Sequence, residues 1–362
     1  MTSPARIPVA VLGATGAVGQ AFVRHLAGHP WFEIAEVAAS ERSTGRAYRD
    51  AVRWLEGVLP PEVGSLTVRA CTPGDVSAPI VFSALDSAVA GDVEAQFARA
   101  GRLVLSNAKN FRMEEDVPLV IPEVNGNHLA LLASQQRTRG WPGAIVTNAN
   151  CAVTVIAAAL APLHEQFIVN RVVAVTMQAI SGAGYPGVPS LDILGNVIPY
   201  ISDEEPKIAR ELGKLLGTLQ DGRIVPATIA VSAHANRVAV EHGHTVCLTV
   251  GFERAPTVQQ AIDTLRTWRG HEGVAGLPSA PVPPLDVRDE VDRPQPRRDA
   301  GVGRGMTISV GRVRDDAVMD LRLVAMAHNV VRGAAGGSVL NAELLLVNGT
   351  LDRATGALRV AS

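Results

Sequence analysis

An apolar stretch near the start of the chain runs directly into a glycine-rich turn. Residues 7–12, IPVAVL, have the composition of a buried strand, GATGAVG follows with Gly13, Gly16 and Gly19, and QAFVRHLAGH has the composition of a helix. Glycines at this spacing let a strand-to-helix turn approach a pyrophosphate while the free amides of the helix N-terminus point at it. The spacing differs from GxGxxG, but the strand and helix on either side predict nucleotide binding.

Further short apolar stretches alternate with helix-compatible segments. They span residues 32–40, 79–85, 102–108, 118–124 and 144–150. This alternation predicts a mostly parallel sheet covered by helices, as in a Rossmann-like α/β domain. From about Asn170 the strands become longer, and the helical stretch EEPKIARELGKLLG lies between them. We therefore expect a nucleotide-binding domain, residues 1–150 with 329–362, and a second, α+β domain, residues 151–328.

Composition argues against several classes of partner. The 362 residues carry a net charge of −2 and 4% aromatics, which disfavours a nucleic-acid surface built on a basic field or on stacking. Cys71, Cys151 and Cys247 form neither a disulfide framework nor a CxxC zinc motif. The longest apolar helical stretch, residues 151–163, is shorter than the roughly 20 residues that span a bilayer. We expect a soluble cytoplasmic protein with a small polar ligand and no membrane or nucleic-acid partner.

The end of the second predicted strand bears on the choice of cofactor. An NAD site usually has an acidic residue there for the ribose hydroxyl, about 20 residues past the turn. This chain has Ser40, Glu41, Arg42 and Ser43 instead. Two hydroxyls and a guanidinium suit a 2′-phosphate, although Glu41 opposes that charge and a solvated loop is the alternative. The stretch favours NADP over NAD.

Cys151 stands where a predicted strand has just ended and an apolar helix begins, in TNANCAVTVIAAAL. The positive end of a helix dipole lowers the pKa of a thiol and favours the thiolate. Asn148 and Asn150 lie just before it, so a side chain there could cap the helix and orient a reacting carbonyl. The pattern predicts a nucleophile, and a buried inert cysteine is the alternative.

An acid/base partner for this cysteine is offered by RVAVEHGHTV, which contains Arg237, His242 and His244. In one unbroken strand Arg237 and His244 would face opposite ways, so a shared site requires the strand to break, and Gly243 is the natural place. Structural histidines are the alternative. Two histidines at this spacing could also bind a metal, but the sequence has no evident third ligand cluster, and we predict no metal.

These motifs together closely resemble the aspartate-β-semialdehyde dehydrogenase family, particularly its archaeal and fungal type. The resemblance spans nearly the whole chain and rests on GATGAVGQ, SERSTGR, SNAKNFRM, PLVIPEVN, TNANC, MQAISGAGYPG, ANRVAVEHGHT and HNVVRGAAGGSVLNAELL. It implies reversible NADPH-dependent reduction of β-aspartyl phosphate to aspartate semialdehyde and phosphate, toward lysine, methionine and threonine. It also implies that the second domain carries catalysis and dimerisation, in a homodimer or a homotetramer.

The resemblance implies roles for individual side chains at the reacting centre. Cys151 would accept the acyl group as a thioester, and His244 would be the acid/base. Gln178 and Asn150 would orient the acyl group. Thiolate attack on an acyl phosphate, collapse to a thioester and hydride acceptance form a coherent sequence that requires no metal.

The resemblance also implies how the substrate and the cofactor are held. Arg237 would bind the α-carboxylate, Glu204 the amino group, and Arg112 with Lys207 the phosphate, although Pro206 interrupts the motif that carries Glu204 and Lys207. The predicted NADP-binding residues lie in five segments and are Gly13, Thr15, Gly16, Ala17, Val18, Ser40, Arg42, Ser43, Ser83, Ala84, Leu85, Ser181, Gly182 and Asn329.

Two groups of alternatives stay open at this point. An N-acetylglutamyl-phosphate reductase or a malonyl-CoA reductase could share the glycine turn, the cysteine and the histidine. Arg112, Glu204 and Lys207 discriminate, because a coenzyme A thioester has no transferable phosphate and a malonyl group has no amine. A catalytically inactive NADP-binding sensor is the alternative from another class, and intact Cys151 and His244 speak against it.

Overall fold

The computed structural model describes residues 6–359, and its first sheet has seven strands, all parallel, in the order β3-β2-β1-β4-β5-β7-β6. The strands are β1 (Ile7–Leu12), β2 (Phe32–Ala39), β3 (Val68–Ala70), β4 (Ile80–Ser83), β5 (Leu103–Ser106), β6 (Leu119–Val120) and β7 (Ala144–Asn148). The chain order reverses between β1 and β4, and in such sheets ligands bind at the carboxyl ends of the strands beside this reversal.

Helices connect these strands, as parallel pairing requires. They are α1 (Ala17–Leu26), α2 (Tyr48–Ala51), α3 (Pro61–Gly64), α4 (Ser87–Arg99), α5 (Pro122–Asn125) and α6 (Leu131–Arg139). The longer ones begin and end where the sequence provides caps. Asp86 accepts the amide of Ala88 at the start of α4, and Gly140 ends α6 in the left-handed conformation.

The second sheet is mixed, with the strand order β11-β8-β12-β15-β14-β13. These strands are β8 (Val169–Gln178), β11 (Ala230–Arg237), β12 (His244–Phe252), β13 (Leu285–Arg288), β14 (Ile308–Asp315) and β15 (Leu321–Ala327), and a separate hairpin joins β9 (Thr218–Gln220) to β10 (Arg223–Val225). The helices of this part are α7 (Cys151–Phe167), α8 (Ser190–Ile193), α9 (Glu204–Leu215), α10 (Val258–Thr267) and α11 (Pro296–Asp299).

Two long helices pack in the hydrophobic cores of the two sheets. α7 is alanine-rich and apolar all round, and it is buried from Ala152 to Leu163 within the hydrophobic core of the second sheet. After β15 a π-helical turn (Val331–Ala335) leads into α12 (Gly336–Val347), which packs in the core of the first sheet. The predicted α/β class with a second α+β domain is thus confirmed, and the return of α12 supports the predicted division, whose boundaries stay a prediction.

Candidate active site

The glycine turn between β1 and α1 has the geometry of a phosphate cradle. Gly13 has φ 68°, and a Cβ atom there would lie 2.6 Å from the carbonyl oxygen of Ala84. A Cβ at Gly19 would overlap the carbonyl oxygen of Gly13. Gly16 caps α1 without a side chain, so the first amides of α1, from Ala17 onward, face outward from a small-residue turn. The turn therefore fits the pyrophosphate of a dinucleotide, as predicted from the sequence.

The predicted 2′-phosphate contacts lie in the turn after β2. Ser43 is buried and its amide donates to the carbonyl of Ser40 at 2.9 Å, while Ser40 and Arg42 are exposed. Arg42 is therefore free to swing over a ribose phosphate from a turn whose backbone is held in place. Glu41 is exposed too. Arg42 therefore favours the 2′-phosphate of NADP and Glu41 opposes it, as expected from the sequence.

At the end of β4, the backbone lies beside the glycine turn, whereas the Ser83 side chain does not face it. The Ser83 hydroxyl donates to Glu94 at 2.6 Å and is fully buried, so it points away from the turn. Ala84 donates its amide to the Leu12 carbonyl at 3.0 Å, which keeps this segment beside the glycine turn. Of the predicted residues Ser83, Ala84 and Leu85, the structure brings the backbone of Ala84 and Leu85 nearest to Gly13.

A second set of predicted cofactor residues meets at the start of β12. Asn329 donates to the Ser181 hydroxyl at 2.9 Å and accepts the amide of Gly243 at 2.9 Å. His242 contacts the same Ser181 hydroxyl at 3.0 Å. Asn329 therefore ties the Ser181–Gly182 loop to the residue that precedes His244.

Cys151 is the first residue of α7, as predicted, and its environment is crowded. The Asn150 side chain caps the helix by accepting the amides of Ala152 and Val153 at 2.9 and 3.1 Å. A Cβ atom at Gly333 would lie 2.7 Å from the Cβ of Cys151. The π-helical turn can therefore cross the cysteine only because Gly333 has no side chain.

Glu204 is the centre of a buried hydrogen-bonded group beside this cysteine. Its Oε1 accepts from Asn150 Nδ2 at 2.8 Å and from Gln178 Nε2 at 3.0 Å, and its Oε2 lies 3.5 Å from Lys207 Nζ. The structure thus unites four of the predicted residues. It also commits both amides to a carboxylate, so the group is arranged around negative charge.

Pro206 does not disturb this arrangement. α9 begins at Glu204, which makes Pro206 its third residue. The first four amides of a helix have no intrahelical partner, so a proline there costs no hydrogen bond. Glu204 and Lys207 are therefore presented from an intact first turn, and Pro206 leaves their predicted placement unchanged.

The thiol of Cys151 is protonated in the free protein. Burial and the neighbouring Glu204 raise its pKa to about 12, against the lowering influence of Arg112, Arg237 and the helix amide. In the free protein the surroundings of Cys151 therefore oppose the thiolate that the helix N-terminus favours. Desolvation and a nearby carboxylate outweigh the helix dipole, which acts only within the first turn.

Arg237 and His244 both bond the backbone of one residue, Ala179. The Arg237 guanidinium donates to the Ala179 carbonyl at 2.8 Å, and the Ala179 amide donates to His244 Nδ1 at 3.0 Å. β11 ends at Arg237 and β12 begins at His244, with Gly243 at φ 103° between them. The predicted strand break, with Gly243 in it, is confirmed.

The Ala179 hydrogen bond decides where His244 carries its proton. Because Nδ1 accepts, the neutral ring has its hydrogen on Nε2, which is buried without a partner among the described residues. Burial and Arg237 lower its pKa to about 3, so the ring is neutral near pH 7. His244 therefore offers the site a hydrogen-bond donor, the N–H group at Nε2. The base half of the predicted acid/base role would require the Ala179 contact to break.

Gly182 leaves the space in front of this donor. A Cβ atom at Gly182 would lie 2.9 Å from His244 Nε2 and 2.8 Å from an Arg237 nitrogen. His242, by contrast, stacks on His328 with ring centroids 4.6 Å apart and is partly exposed. The two histidines of the sequence motif thus have different surroundings, and only His244 faces Gly182 and Arg237.

Arg112 is less available for a phosphate than the sequence suggested. Its guanidinium donates to Glu211 at 3.0 Å and to the carbonyl of Asn107 at 2.8 Å. Glu211 in turn accepts the backbone amide of Asn150 at 2.6 Å. Arg112 therefore also supports the start of α7, and its Nε is buried without a partner among the described residues.

Glu211 and Lys214 hold α9 in place, and neither was predicted from the sequence to be part of the site. Lys214 Nζ donates to three carbonyls, those of Arg112, Glu114 and Val117, at 2.7–2.8 Å. Both residues could have been found, because helical spacing puts Glu211 and Lys214 on the face of α9 that buries Ile208 and Leu215. Charged residues on such a face are rarely buried unless they are paired.

Two further features of the described residues concern metal binding and membrane spanning. Residues 6–359 contain no group of three or more histidine, cysteine or acidic side chains placed to hold a metal ion. Over the same range, every helix is too short or too polar to cross a membrane.

Two family models match the chain. One is described as the NAD binding domain of semialdehyde dehydrogenase and matches residues 8–132, and the other is described as its dimerisation domain and matches residues 160–332. They cover most of both sheets and the segments that carry the glycine turn, Arg237 and His244. Fold and site thus define a two-domain semialdehyde dehydrogenase.

Full-length relatives narrow the class. The aspartate-semialdehyde dehydrogenases of Archaeoglobus fulgidus and Trichophyton rubrum are 48% and 44% identical to this chain, over 94% and 96% of it and 98% and 99% of their own lengths. A crystal structure of the Candida albicans aspartate semialdehyde dehydrogenase with NADP has a TM-score of 0.88 and 41% identity, and the match covers 95% of this chain and 99% of that one. The chain belongs to the aspartate-semialdehyde dehydrogenase family.

Proposed function

We propose that this chain is an NADP-dependent aspartate-semialdehyde dehydrogenase, which interconverts β-aspartyl phosphate and aspartate semialdehyde with phosphate. The observation that carries the proposal is the meeting of Cys151, Glu204, Arg237 and His244 from four separate segments in a chain of this family. The archaeal and fungal relatives do not favour an N-acetylglutamyl-phosphate or a malonyl-CoA reductase.

The buried charges suit both ends of an amino acid. Arg237 offers a guanidinium to the α-carboxylate, and the Glu204 carboxylate offers an acceptor to the α-ammonium group. An ammonium bound at Glu204 would compensate the negative charge beside Cys151. Substrate binding would therefore remove one of the two causes that raise the pKa of the Cys151 thiol in the free protein.

Acyl transfer begins with the Cys151 sulfur. A sulfur–carbon bond forms at the β-carbonyl, the carbon–oxygen bond to phosphate breaks, and the thiol proton leaves on the departing phosphate. The phosphate serves as the proton acceptor because His244 Nε2 already carries a hydrogen. The phosphate charge would be received by Lys207, which lies 3.5 Å from Glu204, and by Arg112, whose charge acts on the Cys151 thiol and which would leave its ion pair with Glu211.

His244 acts on the acyl oxygen in this proposal. Its Nε2 hydrogen stabilises the negative charge that develops on the oxygen during attack and during reduction. NADPH, when bound, supplies the hydride that reduces the thioester carbon. The carbon–sulfur bond then breaks, the aldehyde and the Cys151 thiolate are released from each other, and the thiolate takes a proton from solvent water. Asn150 and Gln178 hold Glu204 and so position the substrate amine.

The quaternary structure and compartment belong to the same proposal. The match to a dimerisation domain supports an oligomer, and we propose a homodimer or a homotetramer built through residues 151–328. The ranges 1–150 and 329–362, whose first five and last three residues lie outside the description, would form the NADP-binding domain. Three free thiols and an NADPH-dependent reaction suit the reducing cytoplasm.

A direct assay tests the proposal. Purified protein mixed with aspartate semialdehyde, NADP and phosphate should produce NADPH, followed by its absorbance, and the rate should depend on phosphate. N-acetylglutamate semialdehyde and malonate semialdehyde with coenzyme A serve as the competing substrates. Greater activity with either of those, or NADPH formation that ignores phosphate, would contradict the assignment.

A further inference from the structure

A cavity of about 520 Å³ is lined by none of the residues assigned to the reaction, although its lining residue His328 precedes Asn329 in the chain. The end of α1 and the loop after it, residues 24–30, form one wall. Residues 278–279 and 301–306 form the other, with His328 and Val331 between them. Sites for small molecules usually have volumes of about 300–1,000 Å³, so this cavity can hold a metabolite-sized ligand.

The titratable side chains that line this cavity are all of basic type. The basic ones are Arg24, His25, His29, Arg304 and His328, and no lining residue within the described chain is acidic. Elsewhere the charges nearly balance, with 33 lysines and arginines against 35 acidic residues. Such a concentration of one sign in a concave site favours counter-ions.

Nearby carboxylates neutralise only part of this charge. Glu343 accepts from His29 at 2.8 Å, and Glu56 pairs with Arg24 at 2.9 Å. The pKa of both His25 and His328 is lowered to about 4, mainly by burial; Arg304 and Arg24 add to the shift at His25, and His242 and Arg24 add to it at His328. Burial, and after it the positive charges nearby, disfavours the protonated form of both rings.

These rings and Arg304 keep hydrogen-bond donors for a ligand. The His328 Nδ1 accepts the amide of Val331 at 3.3 Å, so the neutral ring donates from Nε2. Among residues 6–359, His25 makes no side-chain hydrogen bond, although it is only partly exposed. The Arg304 Nη2 donates to the Pro278 carbonyl at 2.8 Å, which leaves its other donors available.

The backbone at Arg304 is unusual as well. Arg304 has φ 57°, a left-handed conformation, between Gly303 and Gly305 at φ 57° and 82°. This conformation disfavours side chains with a Cβ, and residues held in it cluster at ligand sites. An arginine thus stands in a glycine-rich turn, at a position where glycine would be unstrained.

We propose that this cavity is a binding site for a small polyanion, a molecule with two or more phosphate or carboxylate groups, held by Arg24, Arg304 and the ring nitrogens of His25 and His328. The anion bridges the two domains, because α1 belongs to the first and residues 301–306 to the second. The chemistry needed is only charge-assisted hydrogen bonding, and the site is independent of turnover.

Calorimetric titration with inorganic pyrophosphate and, separately, with citrate tests the proposal. The protein is first saturated with NADP, so that the cofactor's own pyrophosphate site is filled. We expect saturable binding of at least one probe in the wild type, and at least tenfold weaker binding in Arg304→Gln and in Arg24→Gln/Arg304→Gln. Preference for pyrophosphate or for citrate then distinguishes a phosphate ligand from a carboxylate ligand.

Arg137→Gln is the matched control, because Arg137 is an exposed arginine on α6, far along the chain from the cavity residues. It removes the same charge and should bind both probes as the wild type does. Equal binding by the wild type and the Arg304 variants would overturn the proposal, and so would no binding by the wild type. A change in subunit number in the double variant, with no probe bound, would instead make the cavity a subunit contact.

Discussion

The glycine turn and the cluster around Cys151 are the two regions assigned to the cofactor and to the reacting group, and they are constructed differently. The turn takes its groups from consecutive residues, 13–19, and presents backbone amides. The cluster takes its groups from α7, α9 and the ends of β8, β11 and β12, and it consists of buried polar side chains that bond one another.

This difference has consequences for function. A backbone amide has no charge to lose, so the turn stays ready for a phosphate whatever its neighbours do. In the cluster each charge is held by other polar side chains, as Glu204 is by the amides of Asn150 and Gln178 and by the ammonium group of Lys207. A buried polar network of this kind transmits a change in one member to the rest, because the low dielectric strengthens each contact.

The largest expected effect is a loss of turnover from a change in the Cys151 cluster that leaves cofactor binding at the glycine turn unchanged. Cys151→Ala should lower turnover on the order of 10⁴-fold or more, since the covalent step disappears. It should leave NADP binding unchanged, because the glycine turn does not depend on the thiol. Cys151→Ser should retain a trace at most, since a hydroxyl is a weaker nucleophile.

Kinetics and cofactor titration measure both effects, and intact mass adds a third test. Wild type mixed with aspartyl phosphate and no NADPH should carry a covalent acyl group that Cys151→Ala lacks. Full activity in the alanine variant would rule out the thioester route, as would an unmodified wild-type mass under conditions of demonstrated turnover.

The next effect lies within the cluster and separates its two histidines. His244→Asn should lose roughly 10²- to 10⁴-fold in kcat, the usual contribution of such a group. His242→Asn should lose little, because that ring is partly exposed and stacks on His328. His244→Gln should retain more than His244→Asn, since its longer side chain can place a donor near the Nε2 position. Equal losses in the glutamine and asparagine variants would contradict the donor role.

A smaller effect is expected at the cofactor end. Arg42→Ala should weaken NADP binding by about 1.5–3 kcal/mol, the usual value of a hydrogen bond to a charged group, and should leave NAD nearly unchanged. Glu41→Gln is the neighbouring control, and it should favour NADP if it changes anything, because it removes a negative charge. Titration of both cofactors measures this, and an equal loss for NADP and NAD would remove the charge argument.

The smallest effect concerns the state of the thiol. Glu204→Gln should lower the pKa of Cys151 from about 12, because it removes a carboxylate that disfavours the thiolate. A lower pKa raises the thiolate fraction at a fixed pH, so Cys151 should be alkylated faster in the variant than in the wild type. Peptide mass spectrometry after iodoacetamide, over a range of pH, reports Cys151 separately from Cys71 and Cys247.

Glu205→Gln is the control for that measurement. Glu205 is the next residue of α9 and accepts the amide of Ala235 at 3.1 Å, and it is not among the causes of the Cys151 shift. It should alkylate at the wild-type rate. An unchanged rate in Glu204→Gln would mean that burial alone raises the pKa of Cys151.

Several features of the site were predictable because they depend on local pattern. The start of α7 at Cys151 follows from an apolar alanine-rich run after an asparagine cap, and the break with Gly243 in it follows from strand alternation. The resemblance to the family supplied the rest of the residue set. Glu211 and Lys214 escaped prediction, because nothing in the helix pattern says which carbonyls and amides a buried charge will meet.

The amino-acid sequence by itself determined the two-domain α/β architecture, the glycine turn and which side chains could react. These follow from periodicity and backbone sterics, which act over a few residues. Three features became visible only in the folded chain: burial and Glu204 raise the pKa of the Cys151 thiol, His244 donates from Nε2, and Arg112 is shared with Glu211. The physical reason is that protonation depends on burial and on charges brought together from distant segments, and both arise only when the chain has folded.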